Sequence, residues 1–227
     1  MKRIVLLIAA SITLMFVFIA CERENSSDVN QDRIYALYEI YYDKAEDVSY
    51  ARASFFFGSI TGTKLELSSP SNVKFNDVEM GFKNALAYYE TSNAGFIEQG
   101  TFVWTDIDGN SFTNIATVKT IDLQENMDTI NKDQAYEITW IGEPLGSDEN
   151  IWVFINGQLE NDELNAYQTT PGATKVILTA TQTNRLSVGT NQIFIQRRNN
   201  TEAQEKTSAG AKCAGIYKSQ TYNIEVK

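Results

Sequence analysis

The sequence predicts an all-β protein built from antiparallel strands, and three observations support this fold class. Apolar and polar residues alternate along many short segments, turn dipeptides separate several of these segments, and only one stretch fits helical spacing equally well. Successive side chains of a strand point to opposite faces of a sheet, so this alternation is typical of half-buried antiparallel strands. Many short strands separated by turns favour β-sandwiches.

The alternating segments extend through most of the chain. They are 51–57, 65–67, 112–118, 136–140, 151–155, 176–180, 193–195 and 222–226. The dipeptides Asp108-Gly109 and Asn156-Gly157 lie between such segments and can supply the positive φ angles of a type I′ hairpin turn. A further turn is expected at 69–72, where Pro70 lies among small polar residues.

The segment 34–42 fits two patterns. Ile34, Leu37, Tyr38 and Tyr41 have helical spacing, whereas Ile34, Ala36, Tyr38, Ile40 and Tyr42 have strand spacing. Because tyrosine and isoleucine are enriched in strands, we predict a strand here.

The length of 227 residues suits either one large domain or two sandwich domains of about 100 residues each. Residues 119–134 are rich in Asp, Asn, Gln and Lys and separate two series of predicted strands. We therefore predict an N-terminal β-sandwich domain at 33–120, a linker at 121–134 and a C-terminal β-sandwich domain at 135–227.

The first twenty residues have the composition of an export signal. Lys2 and Arg3 precede an uncharged apolar segment that ends at Ala20, and Cys21 follows directly. We interpret residues 1–20 as a signal peptide. The Ala20-Cys21 junction resembles the lipobox of type II signal peptides, which implies cleavage before Cys21 and acylation of its thiol. An uncleaved membrane anchor and an ordinary signal peptide cut near Ala20 are the alternatives.

Residues 21–32 follow this junction and are almost entirely polar. Such a composition predicts a flexible tether. In bacterial lipoproteins of this type an aspartate after the acylated cysteine signals inner-membrane retention. Glu22 occupies that position here, so the resemblance implies an outer-membrane lipid anchor. The acidic residues after Cys21 also resemble the surface-export signals of Bacteroidota lipoproteins.

The second half resembles the immunoglobulin-like domains of bacterial surface proteins. The resemblance depends on 136–142, on 151–157 with Trp152, and on 186–195, which is similar to the entry into strand F. It implies a sandwich in which Trp152 is buried. The cysteine pair of antibody domains is missing, which excludes that disulfide but not the fold.

Charge and composition exclude several functions. The formal charge is −10, and removal of Lys2 and Arg3 with the signal peptide leaves −12. This charge argues against binding to a nucleic acid or to an anionic membrane surface. Because the chain has no histidine, Ser-His-Asp and Cys-His catalytic sites cannot form. We expect no enzyme activity, no cofactor and no metal site, and we expect Cys213 to be an inert core thiol, although a Cys21–Cys213 disulfide is an alternative.

Two kinds of polar site are alternatives to ordinary turns in this sequence. The carboxylate pairs are Asp106 with Asp108, Asp148 with Glu149, and Glu160 with Asp162 and Glu163. A calcium loop starting at Asp106 would require a glutamate at its twelfth position, where Thr117 stands, so a hairpin turn is preferred.

The aromatic residues suggest binding or core packing. We expect Trp104, Trp140 and Trp152 in the core, and we take Tyr88 and Tyr89 as candidate binding residues, only one of which can face outward from a strand. The predicted function is a lipid-anchored, non-enzymatic binding or structural role in the cell envelope, with an envelope protein or a glycan as partner, on loops such as 145–150 and 199–209 or on strand edges. A carbohydrate-binding accessory protein of a sugar-uptake system and a carboxylate-dependent hydrolase are the alternatives.

Overall fold

The computed structural model describes residues 23–156 and 163–227, and these residues are almost all in strands and turns. The all-β prediction is therefore confirmed. The strands are β1 (Arg23–Asn25), β2 (Ile34–Asp43), β3 (Val48–Phe57), β4 (Lys64–Glu66), β5 (Asn72–Phe75), β6 (Val78–Glu79), β7 (Gly81–Lys83), β8 (Tyr88–Ala94), β9 (Gln99–Thr105), β10 (Ser111–Thr117), β11 (Asp122–Leu123), β12 (Tyr136–Ile141), β13 (Glu149–Asn156), β14 (Leu164–Gln168), β15 (Lys175–Leu178), β16 (Gly189–Glu202), β17 (Ala211–Lys218) and β18 (Tyr222–Val226). The described helices are α1 (Ala180–Thr183) and two 3₁₀ turns, Ser26–Asp28 and Gln31–Arg33.

One long sheet extends through the whole molecule. Its strand order is β1-β4-β3-β2-β17-β16-β13-β14, with β8 also paired to β3, β7 to β8 and β18 to β16. The ambiguous segment 34–42 is strand β2, as predicted, and it pairs along its full length with β3.

Two smaller sheets pack on one face of the long sheet. The four-stranded sheet β10-β9-β5-β6 covers the β2 and β17 region. The three-stranded sheet β11-β12-β15 belongs to the second half, where the long sheet contributes β14, β13, β16 and β18. This division of strands between two facing sheets is that of an immunoglobulin-like sandwich.

The long sheet does not divide at the predicted linker. Strand β2, from the N-terminal half, pairs in parallel with β17 over eight register positions from Ala36↔Ala211 to Asp43↔Lys218. The expectation of purely antiparallel pairing was wrong here and for β1 with β4. The domain boundaries stay a prediction, but the two predicted sandwiches share hydrogen-bonded strands and one cluster of buried residues.

Aromatic side chains fill the N-terminal part of this core. Tyr38 lies between the long and the four-stranded sheets, with its ring centroid 5.1 Å from that of Phe102, and Phe55 packs 5.0 Å from Trp104. In the second half the buried residues are mainly aliphatic, because Ile151, Val153 and Ile155 alternate inward along β13. The predicted core positions of these strands are therefore confirmed.

Some local predictions were wrong. Ala180 starts α1 instead of extending β15, because Thr179 and Gln182 form a capping box there. The turn at Asp108-Gly109 is not type I′, since Gly109 alone has positive φ (83°) and the side chain of Asp106 organises the loop. The Gly157 half of the second predicted turn lies outside the described residues.

The predicted flexible tether is also wrong for residues 23–32. Arg23–Asn25 form β1, and Ser26 and Gln31 are buried. The Ser26 hydroxyl accepts a hydrogen bond from the Ser68 backbone (2.8 Å), and the Gln31 side chain donates to the Ser26 carbonyl (2.7 Å). Hydrogen bonds hold this segment where its composition offers few apolar side chains.

The predicted signal peptide and Cys21 lie outside the described residues. Within 23–156 and 163–227, no helix has the length and apolar character required to cross a membrane.

Candidate binding face

The long sheet has an outer face, opposite the two smaller sheets. The register aligns Trp152 with Gln196 and Tyr167, and it aligns Phe154 with Phe194. Their chain neighbours Ile151 and Val153 are fully buried on the inner face. Because side chains alternate along a strand, these aromatic residues must point outward.

Four side chains form an aromatic patch on this face: Trp152, Phe154, Tyr167 and Phe194. The Trp152 ring is 5.3 Å from that of Phe194 and 5.8 Å from that of Phe154, between ring centroids. Tyr167 lies 6.4 Å from Trp152 with its ring plane nearly parallel, at 12°, and it is 66% exposed. Trp152, Phe154 and Phe194 are half-buried, so the patch presents the Tyr167 ring and parts of the other three rings to solvent.

Neutral amides surround the aromatic patch. The Trp152 indole N–H donates to Oδ1 of Asn165 at 2.8 Å. Gln196 is directly opposite Trp152 in the register, and Asn150 and Gln192 occupy the same face on β13 and β16. Each amide has both donors and acceptors, so the patch combines apolar ring surface with adaptable hydrogen-bonding groups.

Ion pairs connect the patch to the N-terminal part of the outer face. The Lys218 ammonium lies 5.0 Å from the Phe194 ring centroid and 2.9 Å from a carboxylate oxygen of Asp43. Farther along, Arg198 and Glu39 form an ion pair at 2.7 Å. Each of these charged side chains is paired with a side chain of another strand, so the ion pairs stabilise the packing of the outer face.

An arginine and three tyrosines occupy the far part of the face. The Arg52 guanidinium lies 5.2 Å from the Tyr41 ring, 5.3 Å from the Tyr50 ring and 5.6 Å from the Tyr88 ring, and it pairs with Glu90 at 2.8 Å. Such distances are typical of cation–π contacts. Burial raises the pKa of Tyr88.

The two candidate tyrosines therefore have different environments. Tyr89 is only 8% exposed, it packs 5.9 Å from Phe55, and its hydroxyl accepts a hydrogen bond from the Leu67 backbone. The binding prediction is wrong for Tyr89, because its ring lies inside the core. Tyr88 is on the outer face, where its ring contacts Arg52, and its binding role stays a prediction.

The three tryptophans differ in how deeply they are buried. Trp104 (1% exposed) and Trp140 (7%) lie in the core, as predicted. Trp152 lies on the outer face instead, so the burial expected from the resemblance to immunoglobulin-like domains was wrong. The signal was present in the sequence, because Trp152 and Phe154 alternate with Ile151, Val153 and Ile155, and the three aliphatic residues fit the core better.

The candidate carboxylates occupy separate structural positions. Asp106 is buried and accepts hydrogen bonds from the Asp108 and Asn110 backbone N–H groups, at 2.9 and 2.8 Å, so it holds the β9–β10 turn. Glu160 and Asp162 lie outside the described residues, and Glu163 is exposed. Among residues 23–156 and 163–227, no group of three or more potential metal-ligating His, Cys, Asp or Glu side chains occurs.

Glu149 belongs to a buried ion-pair network. Its carboxylate accepts from Arg197 Nε at 3.1 Å and lies 2.5 Å from Lys119 Nζ. Arg197, 1% exposed, also donates to the carbonyls of Glu143 and Pro144. Burial opposes ionisation, but hydrogen bonds from Lys119, the Gly146 backbone and Arg197 hold the pKa of Glu149 below its usual range.

This network lies beside a cleft of about 540 Å³ where the two halves meet. The cleft is lined by Glu98, Thr117, Val118, Lys119, Thr120, Gly142, Glu143 and Arg197. Lys119 and Arg197 both bind Glu149, so we assign them a structural role.

Burial or hydrogen bonds also hold Cys213 and the predicted binding loops in the folded protein. Cys213 is fully buried as a free thiol, and burial raises its pKa to about 11. The loop before it is held by Glu205, whose backbone carbonyl accepts from Asn114, and by Ser208, whose hydroxyl donates to the Asp32 carbonyl. Leu145, in the other predicted loop, is buried.

Comparisons with known proteins identify no family. No protein-family model matches the chain, and no curated protein matches it. Among solved structures, the FN1–FN3 domains of chicken CNTN1 are similar over 85% of this chain, with 10% identity and a TM-score of 0.27. The match covers 65% of that chain, slightly under two thirds. The immunoglobulin-like sandwich is therefore assigned from the strand topology described above.

Proposed function

We propose that this protein is a lipid-anchored, non-enzymatic binding protein of the cell envelope, and that its ligand binds to the outer face of the long sheet. One observation carries the proposal. The aromatic patch of Trp152, Phe154, Tyr167 and Phe194 lies on the face opposite both smaller sheets, with Tyr167 66% exposed. Exposed clusters of large apolar side chains on a soluble protein typically mark interaction sites.

A carbohydrate is the ligand class that this chemistry favours. A sugar ring has an apolar C–H face, which can lie on an aromatic ring, and hydroxyl groups, which can bond with amides. The patch offers both features, because Trp152 and Tyr167 have nearly parallel ring planes and Asn165 and Gln196 adjoin them. Neutral amides around the rings suit an uncharged ligand better than a phosphate or a sulfate.

The lipid anchor supports an envelope location for this activity. Acylation at Cys21 would hold the chain at a bilayer, since two or more acyl chains anchor a protein stably. Mass spectrometry of the native amino terminus tests this part. An acylated cysteine is expected, and any other first residue would refute the anchor.

Glycan-array binding of the mature protein tests the ligand. We expect saccharide binding that Trp152→Ala and Tyr167→Ala each weaken about tenfold or more, which corresponds to about 1.4 kcal/mol. The matched control is Ile177→Ala on β15, because Ile177 is 53% exposed on a different sheet.

Three outcomes would count against the proposal. Absence of any bound saccharide would exclude a glycan ligand among those on the array. Equal loss in the Ile177 variant would place the effect outside the aromatic patch. Self-association that Trp152→Ala abolishes, without saccharide binding, would make the patch a contact between copies of this chain.

A further inference from the structure

The first described residues determine where the chain approaches the body of the protein. Strand β1 pairs in parallel with β4, and Arg23 is aligned with Lys64. Arg23 is fixed by an ion pair to Glu66 (3.1 Å) and by a hydrogen bond to Asn84 (3.3 Å). Cys21 is only two residues earlier in the sequence, and two residues span about 7 Å at most. The covalent chain therefore allows an acyl group on Cys21 to be attached no farther than about 7 Å from Arg23.

Two loops lie at the same end. Residues 58–63 connect β3 to β4, and the Gly58 backbone N–H donates to the Arg33 carbonyl (2.7 Å), which ties this loop to the N-terminal segment. Residues 84–87 connect β7 to β8, and Lys64 donates to the Leu86 carbonyl (2.7 Å). Both loops thus adjoin the strand at which the chain enters.

Each of these loops carries exposed apolar side chains. Ile60 is 47% exposed, Leu86 is 56% exposed, and Phe57, where β3 ends, is 38% exposed. Arg33 lies 5.8 Å from the Phe57 ring centroid, so a cation accompanies the apolar group. Aromatic and aliphatic side chains next to Lys and Arg are typical of groups at a membrane interface.

We propose that Phe57, Ile60 and Leu86 enter the headgroup region of the bilayer that holds the acyl anchor, and that they orient the body on it. This inference rests on the lipid anchor of the proposed function. The lipid surface is the chosen occupant because the anchor site is two residues from Arg23 and these side chains lie at that end.

Hydrophobic contact, rather than charge, drives this orientation. The mature chain has a formal charge of −12, so its body as a whole is repelled by an anionic surface. The covalent anchor brings the body to the bilayer, and the three apolar side chains then determine which end faces it. Val188 directly precedes β16 and lies at the opposite end of the sheet, which faces away from the bilayer. Strand β16 extends from Gly189 at that end to Glu202 near the anchor end, a distance of about 40 Å.

Tryptophan quenching in vesicles tests the proposal. The purified full-length lipoprotein with Ile60→Trp is placed in phosphatidylcholine vesicles with or without brominated acyl chains, which quench nearby indoles. We expect the added emission to fall about twofold or more in brominated vesicles. The matched control is Val188→Trp, which replaces a 68% exposed residue. Brominated lipids should not quench the emission that this added tryptophan contributes.

Vesicle flotation distinguishes failure of the anchor from failure of the orientation. If the lipoprotein does not float with vesicles, the anchor is wrong. The mature chain is then coupled through Cys21 to a maleimide lipid, since Cys213 is fully buried, and the quenching is repeated. Equal quenching of both added tryptophans, or none at Ile60→Trp while the protein is membrane-bound, overturns the proposed orientation.

Discussion

Replacement of Gly215 by alanine should severely destabilise the protein, because Gly215 is where β10 of the first half packs on β17 of the second. A Cβ atom at this position would lie 1.9 Å from the Thr117 carbonyl oxygen and 2.8 Å from Oδ1 of Asn199. The Asn199 amide donates to that same Thr117 carbonyl at 2.7 Å, so any shift of β10 breaks this bond. The first obstacle is backbone, which cannot rotate away, and the second is the end of a side chain that its own hydrogen bond to Thr117 holds in place.

The expected loss in free energy of unfolding is about 4 kcal/mol. Overpacking of a close-packed site costs about 1–3 kcal/mol. Separation of the strands also leaves the amide N–H of the buried Asn199 side chain without the Thr117 carbonyl as acceptor, which costs about 1–3 kcal/mol more. A domain of this kind has about 5–15 kcal/mol of stability in total, so the variant should remain folded at low temperature but be strongly weakened.

Urea denaturation followed by circular dichroism measures this loss. Gly81→Ala is the matched control, because its nearest obstacle is the Glu90 carbonyl oxygen at 3.8 Å, an ordinary contact. That variant should change the free energy of unfolding by less than about 1 kcal/mol. A loss of less than about 1 kcal/mol for Gly215→Ala would refute the close contact between the two halves.

Three further predictions concern buried polar groups. The Cys213 thiol, whose pKa is raised to about 11, should not react with a thiol reagent at pH 8 until urea unfolds the protein. Glu149→Gln should cost about 3–5 kcal/mol at pH 7. Since the pKa of Glu149 is held below its usual range, the free energy of unfolding of the wild type, measured by urea denaturation, should fall as the pH drops through the folded pKa, and less steeply in the variant. Asp106→Ala should cost about 2 kcal/mol by thermal denaturation, with Asp108→Ala nearly neutral.

Local patterns in the sequence were sufficient for many of the strands, because each of these buries one face and alternation reports that face directly. The long segments around Ile40, Phe55 and Val153 are examples. Local patterns did not predict β14 or β17. Strand partners were not predictable in the same way. The parallel pairing of β2 with β17 joins residues that are far apart in sequence, and no local pattern encodes it.

The candidate site was predicted only in part. Resemblance to immunoglobulin-like domains predicts a buried Trp152, although its alternation with Val153 indicates the opposite face. Tyr167 was missed, because a single exposed tyrosine in a short strand has no distinctive pattern until Trp152 is placed beside it. The burial of Ser26 depends on a hydrogen bond with Ser68, which composition cannot reveal.

Fluorescence titration of Trp152 tests the central claim, that the aromatic patch binds the ligand. Trp104 and Trp140 are buried, so a ligand that stacks on the outer face should perturb Trp152 alone. We predict a saturable change in emission on titration with a saccharide selected on the array, absent from Trp152→Phe although that variant is folded. An unchanged emission at saturating saccharide, or the same change in Trp152→Phe, would contradict the account.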